Sequence, residues 1–478
     1  MIADLKPYPA MKDSGVETLA QVPGHWEIRQ LGRIGRFSKG SGGTKEDEVE
    51  GGVPCMRYGD LYNQYRFFIE RTRSSVSLEK SESYTPIYHG DVLFAGSGET
   101  IEEIGKSAVN LITEPACAGG DVIIFRPSIA VDAKFLGLAT DCPQAVHQKS
   151  CMGRGITIMH IYGDELKYLS VALPPLTEQD AIVRYLGHVD RRVRRLVRAK
   201  RKLIALLTEQ KQAMIHNAVT RGLDPDVPLK DSGVEWLGEV PEHWSIVPSK
   251  ALFKHRKEKA CQDDEQLTAS QNHGIIAQAQ FMALEGRRVM SVFIGRDILK
   301  HVEPNDFVIS MRSFQGGIEW SRVRGAISSA YVMLIPTEGV HPPFFAYLLK
   351  SRGYIAALRQ TSDLVRDGQA LRYANFAQVP LPLVPQSEQR AVAELLDGAT
   401  TKFTAAINLA HREIGLLEEY RTRLTADVVT GKLDVREAAA GLPEVDPLDA
   451  EEDLAELLNP DAEMAFDDAN ATPEVADG

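Results

Sequence analysis

The sequence predicts an α+β protein: two mixed α/β modules separated by two long antiparallel coiled-coil helices, related as a pseudo-twofold internal repeat. Three observations carry that expectation. A lead-in segment occurs twice, and a long apolar-patterned stretch opening after proline occurs twice. The segments between them read as short strands and helices that do not resemble one another. Self-similarity of this kind marks repeated structural units.

The lead-in comes first. Lys12–Trp26 reads KDSGVETLAQVPGHW and Lys230–Trp244 reads KDSGVEWLGEVPEHW, 218 positions later, with 11 of 15 positions identical. At a spacing of 210, Leu173-Pro174-Pro175-Leu176-Thr177-Glu178-Gln179 matches Leu383-Val384-Pro385-Gln386-Ser387-Glu388-Gln389. The same register continues through Leu206-Leu207 and Leu416-Leu417 to the exits Val219-Thr220-Arg221-Gly222-Leu223-Asp224 and Val429-Thr430-Gly431-Lys432-Leu433-Asp434. The stretches between these flanks, about 27–172 and 245–382, differ almost completely. Drift after a plain duplication would blur flanks and middles alike, so the pattern indicates one retained scaffold presenting two different surfaces.

The helices follow. Thr177 and Ser387 offer N-cap hydroxyls, and Glu178 and Glu388 supply first-turn negative charge. In the first helix, apolar residues recur at Ile182, Leu186, Val189, Val193, Leu196, Leu203 and Leu207, a heptad seam broken at Lys200. The second repeats it at Val392, Leu396, Ala399, Phe403, Ala406, Ala410, Leu417 and Leu424. Each helix runs about 40 residues, roughly 60 Å. The small residues Ala399, Ala406 and Ala410 suit close approach to a bulkier antiparallel partner, the first helix; pairing between chains is the alternative.

Within the modules, Gly90–Ala95, Asp121–Phe125, Phe307–Met311 and Tyr331–Ile335 are strand-like, and Phe344–Leu349 reads as helix. The expected limits are 1–172 for the first module with its lead-in and 173–225 for the first helix. Residues 226–382 form the second module, 383–438 the second helix and 439–478 an acidic disordered tail.

Composition bounds the function. At 478 residues, 44% hydrophobic and 25% charged, the chain reads as a globular protein of two or more domains. No stretch approaches the roughly 20 apolar residues of a spanning helix, and the N-terminus lacks a signal-peptide core, so a cytoplasmic location without membrane association is expected. The net charge of −12 is concentrated at the end: residues 440–478 hold 13 acidic residues and no Lys or Arg. Subtracting these 13 from the 66 acidic residues leaves 53 against 54 basic ones, a net of +1 for the body. Five cysteines without a C-x-x-C pair make a disulfide framework or a zinc site unexpected.

Catalytic look-alikes fail on inspection. Phe94-Ala95-Gly96-Ser97-Gly98 matches an F-x-G-x-G loop of methyltransferases, and His341-Pro342-Pro343-Phe344 matches part of their [DN]-P-P-[FY] motif. His341 replaces the required amide or carboxylate, and the two motifs fall in different modules. Gly105-Lys106-Ser107 lacks the upstream glycine of a phosphate loop, since Thr100 stands there. No catalytic constellation and no metal site is expected.

The W-L-G-E-V-P-E-H-W lead-in, the L-P-P-L-T-E-Q helix start and their duplication resemble specificity subunits of type I restriction-modification systems, over nearly the whole chain to about residue 438. The first lead-in departs from the pattern at Thr18-Leu19-Ala20, and the second helix start at Val384-Pro385-Gln386. The resemblance implies a non-catalytic subunit with two target-recognition domains, each reading one half of a split, asymmetric site in double-stranded DNA. It implies two methyltransferase subunits as partners, with a restriction/translocase subunit as a further one. Adenine N6 methylation or DNA cleavage then belongs to those partners, with no cofactor in this chain and S-adenosylmethionine in the methyltransferase partner. A close variant is the specificity subunit of a related cleaving methyltransferase. A coiled-coil scaffold with two protein-binding modules is the alternative from a different class.

Base reading needs side chains that offer donors and acceptors from flexible backbone; Arg suits guanine edges and Gln adenine edges. In the first module this selects Arg57, Tyr58, Asp60, Ser97, Gly98, Glu99, Lys106, Lys149 and Arg154. In the second it selects Arg312, Ser313, Gln315, Ser328, Ser329, Tyr331, Arg366 and Gln369. The run from Arg191 to Lys202 has eight basic residues in twelve, so Arg191, Arg192, Arg194, Arg195 and Arg198 are candidates for DNA phosphates or a partner's acidic surface. Leu186, Val193, Leu207, Leu396, Phe403 and Leu417 represent the helix seam, and Trp26, Trp236 and Trp244 are assigned to packing.

Overall fold

In the computed structural model, the apolar-patterned stretches form the two longest elements, helices Leu176–Arg221 of 46 residues and Gln386–Val429 of 44 residues. The residues described are 5–43, 45–101, 103–155, 159–271, 273–286, 298–310, 313–361 and 371–443. Each helix starts one residue before the expected cap. The N–H groups of Glu178 and Gln179 bond to the Pro175 carbonyl, and that of Gln389 to Pro385. The prolines therefore hold the boundary, and Thr177 and Ser387 lie inside the first turn.

The described residues divide into two compact units, those up to Lys200 together with those from Arg412 onward, and Arg201–His411. In the first, a five-stranded sheet runs in the order Gly35–Lys39, Val122–Pro127, Val92–Ala95, Ser107–Asn110, Phe67–Ile69, antiparallel except for the last pair. A four-stranded sheet runs Ser74–Val76, Glu48–Met56, Ala116–Ala118, Thr85–Ile87. Strand alternation divides the central strands between two cores. Val92, Phe94, Ile123 and Phe125 join the core that includes the long helices, whereas Leu93, Ala95, Val122 and Ile124 join the core against the second sheet.

The second unit repeats this logic with different residues. Its sheet runs Phe253–Arg256, Val332–Pro336, Phe307–Ile309, Glu319–Trp320, all antiparallel. Phe307, Ile309 and Leu334 face one core, Val308 and Met333 the other. Both sheets secure a buried aspartate with a bidentate arginine, the strong geometry for a desolvated carboxylate. Arg126 holds Asp91 at 2.8 and 2.7 Å, and Arg256 holds Asp306 at 2.7 and 3.0 Å. The arginine comes from the second strand of the sheet order in one unit and the first in the other, so the device is kept while its source moves.

The long helices pair antiparallel within each unit. Asp190 meets Arg421 at 3.3 Å and Lys200 meets Glu413 at 2.7 Å in the first, and Lys211 meets Thr404 at 3.0 Å in the second. Leu186, Val193 and Leu396 are buried as expected, and Leu207, Phe403 and Leu417 are half-buried. The seam departs from the heptad in the first helix: Leu196 and Leu203 are 44% and 41% exposed, and Val197 and Ile204 are buried instead. Ile182, Val193, Ile204 and Ile215 are all buried, a spacing of eleven that follows a straight helix more closely than seven does. The second helix keeps sevens through Leu396, Phe403, Ala410, Leu417 and Leu424, but its alternate row is Thr400, Ile407 and Ile414, leaving Ala406 exposed.

The repeated motifs form two clamps. Trp26 Nε1 donates to Glu178 at 3.0 Å, His25 Nε2 lies 2.8 Å from the same carboxylate, and the Tyr8 hydroxyl donates to it as well. Trp244 Nε1 and His243 Nε2 meet Glu388 at 3.0 and 2.7 Å. The adjacent glutamines tie the clamp to the module. Gln179 accepts from the Asp132 N–H and Gln389 from the His341 N–H, each at the N-terminus of a module helix.

The far end of the other long helix completes each clamp. Gly431 turns at φ +76° against Pro23 and Trp26, where a Cβ would come within 2.3 Å of the Pro23 ring; Gly222, at φ +75°, approaches Trp244. In the first unit the chain terminus closes on its own exit through the Lys6 carbonyl and the Asp434 N–H at 2.8 Å.

Candidate nucleic-acid interface

The first module gathers its candidates around one helix. Tyr58–Gln64 places Tyr58 and Tyr62 one turn apart, and their rings stack with centroids 5.7 Å apart. The Tyr62 hydroxyl accepts the Glu99 N–H at 3.3 Å and donates to Glu103; burial, then that bond, pushes its pKa up to about 12. Lys106 Nζ donates to the Tyr62 carbonyl at 2.5 Å and lies over its ring at 5.8 Å. Burial lowers the Lys106 pKa. Tyr58, Tyr62, Glu99, Glu103 and Lys106 thus converge, with a half-buried cation and exposed Glu99 among them.

Ser97 Oγ and His160 Nδ1 lie 3.1 Å apart, and the His160 ring stacks on Tyr162 at 6.4 Å. Arg154 is 80% exposed, with Glu165 at 3.7 Å as a loose partner. Two candidates are committed within the fold. Arg57 pairs with Glu48 at 2.9 Å, and Asp60 accepts the Ser74 hydroxyl at 2.6 Å. Gly98 is buried against the backbone of Thr100 and Ile104, each 3.3 Å from where a Cβ would stand, so it shapes the turn rather than contacting a ligand.

Lys149 is a correction. Its side chain is fully buried, and Nζ donates to Asp141 at 2.8 Å, to the Gly105 carbonyl at 2.7 Å and to Ser107 at 3.3 Å. Three acceptors satisfy all three ammonium protons, so it holds the fold together and presents nothing outward.

In the second module Gln315 and Ser329 are exposed and Ser328 half-exposed, its Oγ accepting the Ala330 N–H at 3.3 Å. Ser313 and Tyr331 are corrections: both are buried, Ser313 Oγ accepting the Ser310 N–H at 2.9 Å and Tyr331 packing in the small core with Met333. Arg312, Arg366, Gln369 and the tail beyond residue 443 lie outside the described residues.

Exposed Arg322, stacked over Trp320 at 4.6 Å, was not among the candidates. Neither was the run Lys254-His255-Arg256-Lys257-Glu258-Lys259, in which Lys254, Lys257 and Lys259 are exposed. The charge density of that run was a readable signal. Cys261, Asp264 and His301 also converge, their ligating atoms all within 4.8 Å of one another. C-x-x-D spacing with a histidine 37 residues beyond the aspartate carries no sequence signature.

The basic run on the first helix is partly neutralised. Asp190 lies between Arg194 at 3.1 Å and Arg421 at 3.3 Å, and Lys200 pairs with Glu413. Arg192 and Arg195 are exposed, Arg191 and Arg198 half-exposed. Among the described residues, no helix is long and apolar enough to cross a membrane.

Residues 23–205 match the type I restriction modification DNA specificity domain. The chain is similar to the putative type I restriction enzyme MjaX specificity subunit of Methanocaldococcus jannaschii, 23% identical over 87% of this chain and 96% of the relative. It is also similar to the MjaVIII specificity subunit of the same organism, 21% identical over 87% of this chain and 95% of that one. A solved chain from work on complex assembly and conformational transition of the type I R-M system shares the fold, with a TM-score of 0.62 at 16% identity, covering 86% of this chain and 99% of that chain. With the lead-in and helix-start motifs present in both halves and joined in the same clamp, the chain is similar over most of its length to type I restriction enzyme specificity subunits.

Proposed function

We propose that this chain is the DNA sequence-recognition subunit of a type I restriction-modification complex and reads a bipartite, asymmetric target in duplex DNA. One observation carries the reading: the same Trp–Glu–Gln clamp supports two modules whose exposed polar residues differ. Glu99, Arg154 and His160 mark one, and Gln315, Ser329, Arg322 and Lys257 the other. Base edges supply sequence information while phosphate contacts set position, so unlike side chains in the two modules imply unlike half-sites.

The chemistry resides in partner subunits. Two methyltransferase subunits, which hold S-adenosylmethionine, methylate adenine at N6, and a restriction/translocase subunit cleaves. Exposed leucines on the long helices, Leu196 in one unit and Leu409 in the other, offer apolar surface for such partners. Co-expression with the methyltransferase subunit of the same system, followed by mapping of methylated adenines, tests this reading. It expects a motif of two different halves separated by unspecified bases. A scaffold for other proteins gives no sequence-specific methylation, and that result would refute the proposal.

A further inference from the structure

We propose that Cys261, Asp264 and His301 form a zinc-binding site in the second module. A thiol, a carboxylate and an imidazole are the ligand types zinc takes, and their ligating atoms all lie within 4.8 Å of one another. A tetrahedral zinc sphere separates neighbouring ligand atoms by about 3.5 Å on bond lengths of about 2.0–2.3 Å, so small side-chain adjustments close it.

The local geometry is organised for coordination. The C-x-x-D turn is fixed by the Cys261 N–H donating to Asp264 Oδ2 at 2.7 Å, which sets thiol and carboxylate side by side. Asp264 and His301 are buried, and the Cys261 side is open to solvent. His301 Nδ1 faces Asp264 Oδ2 at 2.6 Å, and Nε2 faces Glu303 at 2.7 Å. A carboxylate on the far ring nitrogen is the arrangement that orients a metal-bound histidine and raises its basicity. Here it leaves Nδ1 to coordinate.

Arg324 Nε donates to the other oxygen, Oδ1, at 3.2 Å, so a metal would be bound through Oδ2, beside the Cys261 N–H it accepts and in place of its contact with Nδ1. With a thiolate at Cys261, three negative groups surround one guanidinium, and a divalent cation completes the charge balance. Binding displaces the thiol proton and the proton between Nδ1 and Oδ2 into solvent. Three protein ligands leave one tetrahedral position open. The bound ion would join the turn before strand Leu267–Ser270 to strand Lys300–Val302, elements that share the smaller core of the module.

Metal binding by the full chain tests this. Zinc is titrated against a chromophoric chelator, and cobalt(II) is used as a spectroscopic substitute. One equivalent per chain is expected, with a thiolate-to-cobalt charge-transfer band. Cys261→Ser and His301→Gln should each weaken binding at least tenfold, and Glu303→Gln by about tenfold or more. Cys151→Ser, which removes the other exposed thiol, should leave both readouts unchanged. Metal-free melting of each variant separates loss of ligand from loss of fold. Absence of stoichiometric binding in the wild-type chain overturns the proposal, as does a cobalt band that survives Cys261→Ser or vanishes in Cys151→Ser.

Discussion

Trp26 reaches across 152 positions of sequence to donate its indole N–H to Glu178 at 3.0 Å, and Trp244 repeats the bond to Glu388 at the same distance. The two carboxylates do not stand in equal surroundings. Glu178 is 4% exposed and also holds Tyr8, whose phenol is kept protonated by burial and by this carboxylate. The Glu388 side chain is 36% exposed.

Glu178→Ala should therefore cost about 3 kcal/mol, because it strands a buried indole N–H and a buried phenol without an acceptor. Glu388→Ala should cost about 1 kcal/mol, since water can reach the site. Urea denaturation of both variants checks the order, and equal or reversed losses would contradict the assignment.

Lys149→Met should destabilise the chain by about 3–5 kcal/mol, leaving Asp141 buried without its cation. Arg154→Ala should change stability by no more than about 0.5 kcal/mol. It should instead weaken DNA binding by the assembled complex. Denaturation midpoints and binding isotherms on the two variants separate a structural cation from a recognition one.

Val197→Asp should cost about 3 kcal/mol and Leu196→Asp less than about 0.5 kcal/mol, although the two are neighbours in sequence. The pair tests the helix seam directly. A greater loss at Leu196 would restore the heptad register.

His216 is held below its ordinary pKa by burial and then by Arg221. The unfolded chain binds the proton more readily, so the neutral ring's contribution to stability is complete above about pH 6.5 and is lost as pH falls through the folded value. His216→Gln should flatten stability against pH in that window; an unchanged slope would place the effect elsewhere.

The architecture was legible because its determinants are repeated and periodic: the lead-in, the Glu-Gln pair and the apolar rows can be read without knowing contacts. The local register was not. Leu196 and Val197 are equally apolar, and only the drift of a straight helix decides between them. At the interface, chemistry alone could not separate Arg154 from Lys149. Both are basic residues near glycine, and Asp141, eight positions before Lys149, becomes its buried partner only once helices Ala133–Asp141 and Pro143–Met152 form. The convergence of Cys261, Asp264 and His301 was hidden for a related reason, since Ala326 bridges both Gln266 and His301 and so brings His301 to Asp264 without any motif in the sequence.

Independent reading by the two modules is the central claim. Replacing residues 245–382 with the corresponding module of a type I specificity subunit, while both clamps are kept, and mapping methylated adenines in the presence of the proposed methyltransferase subunit tests it. One half of the recognised sequence should change and the other remain. A change in both halves, or in neither, would contradict it.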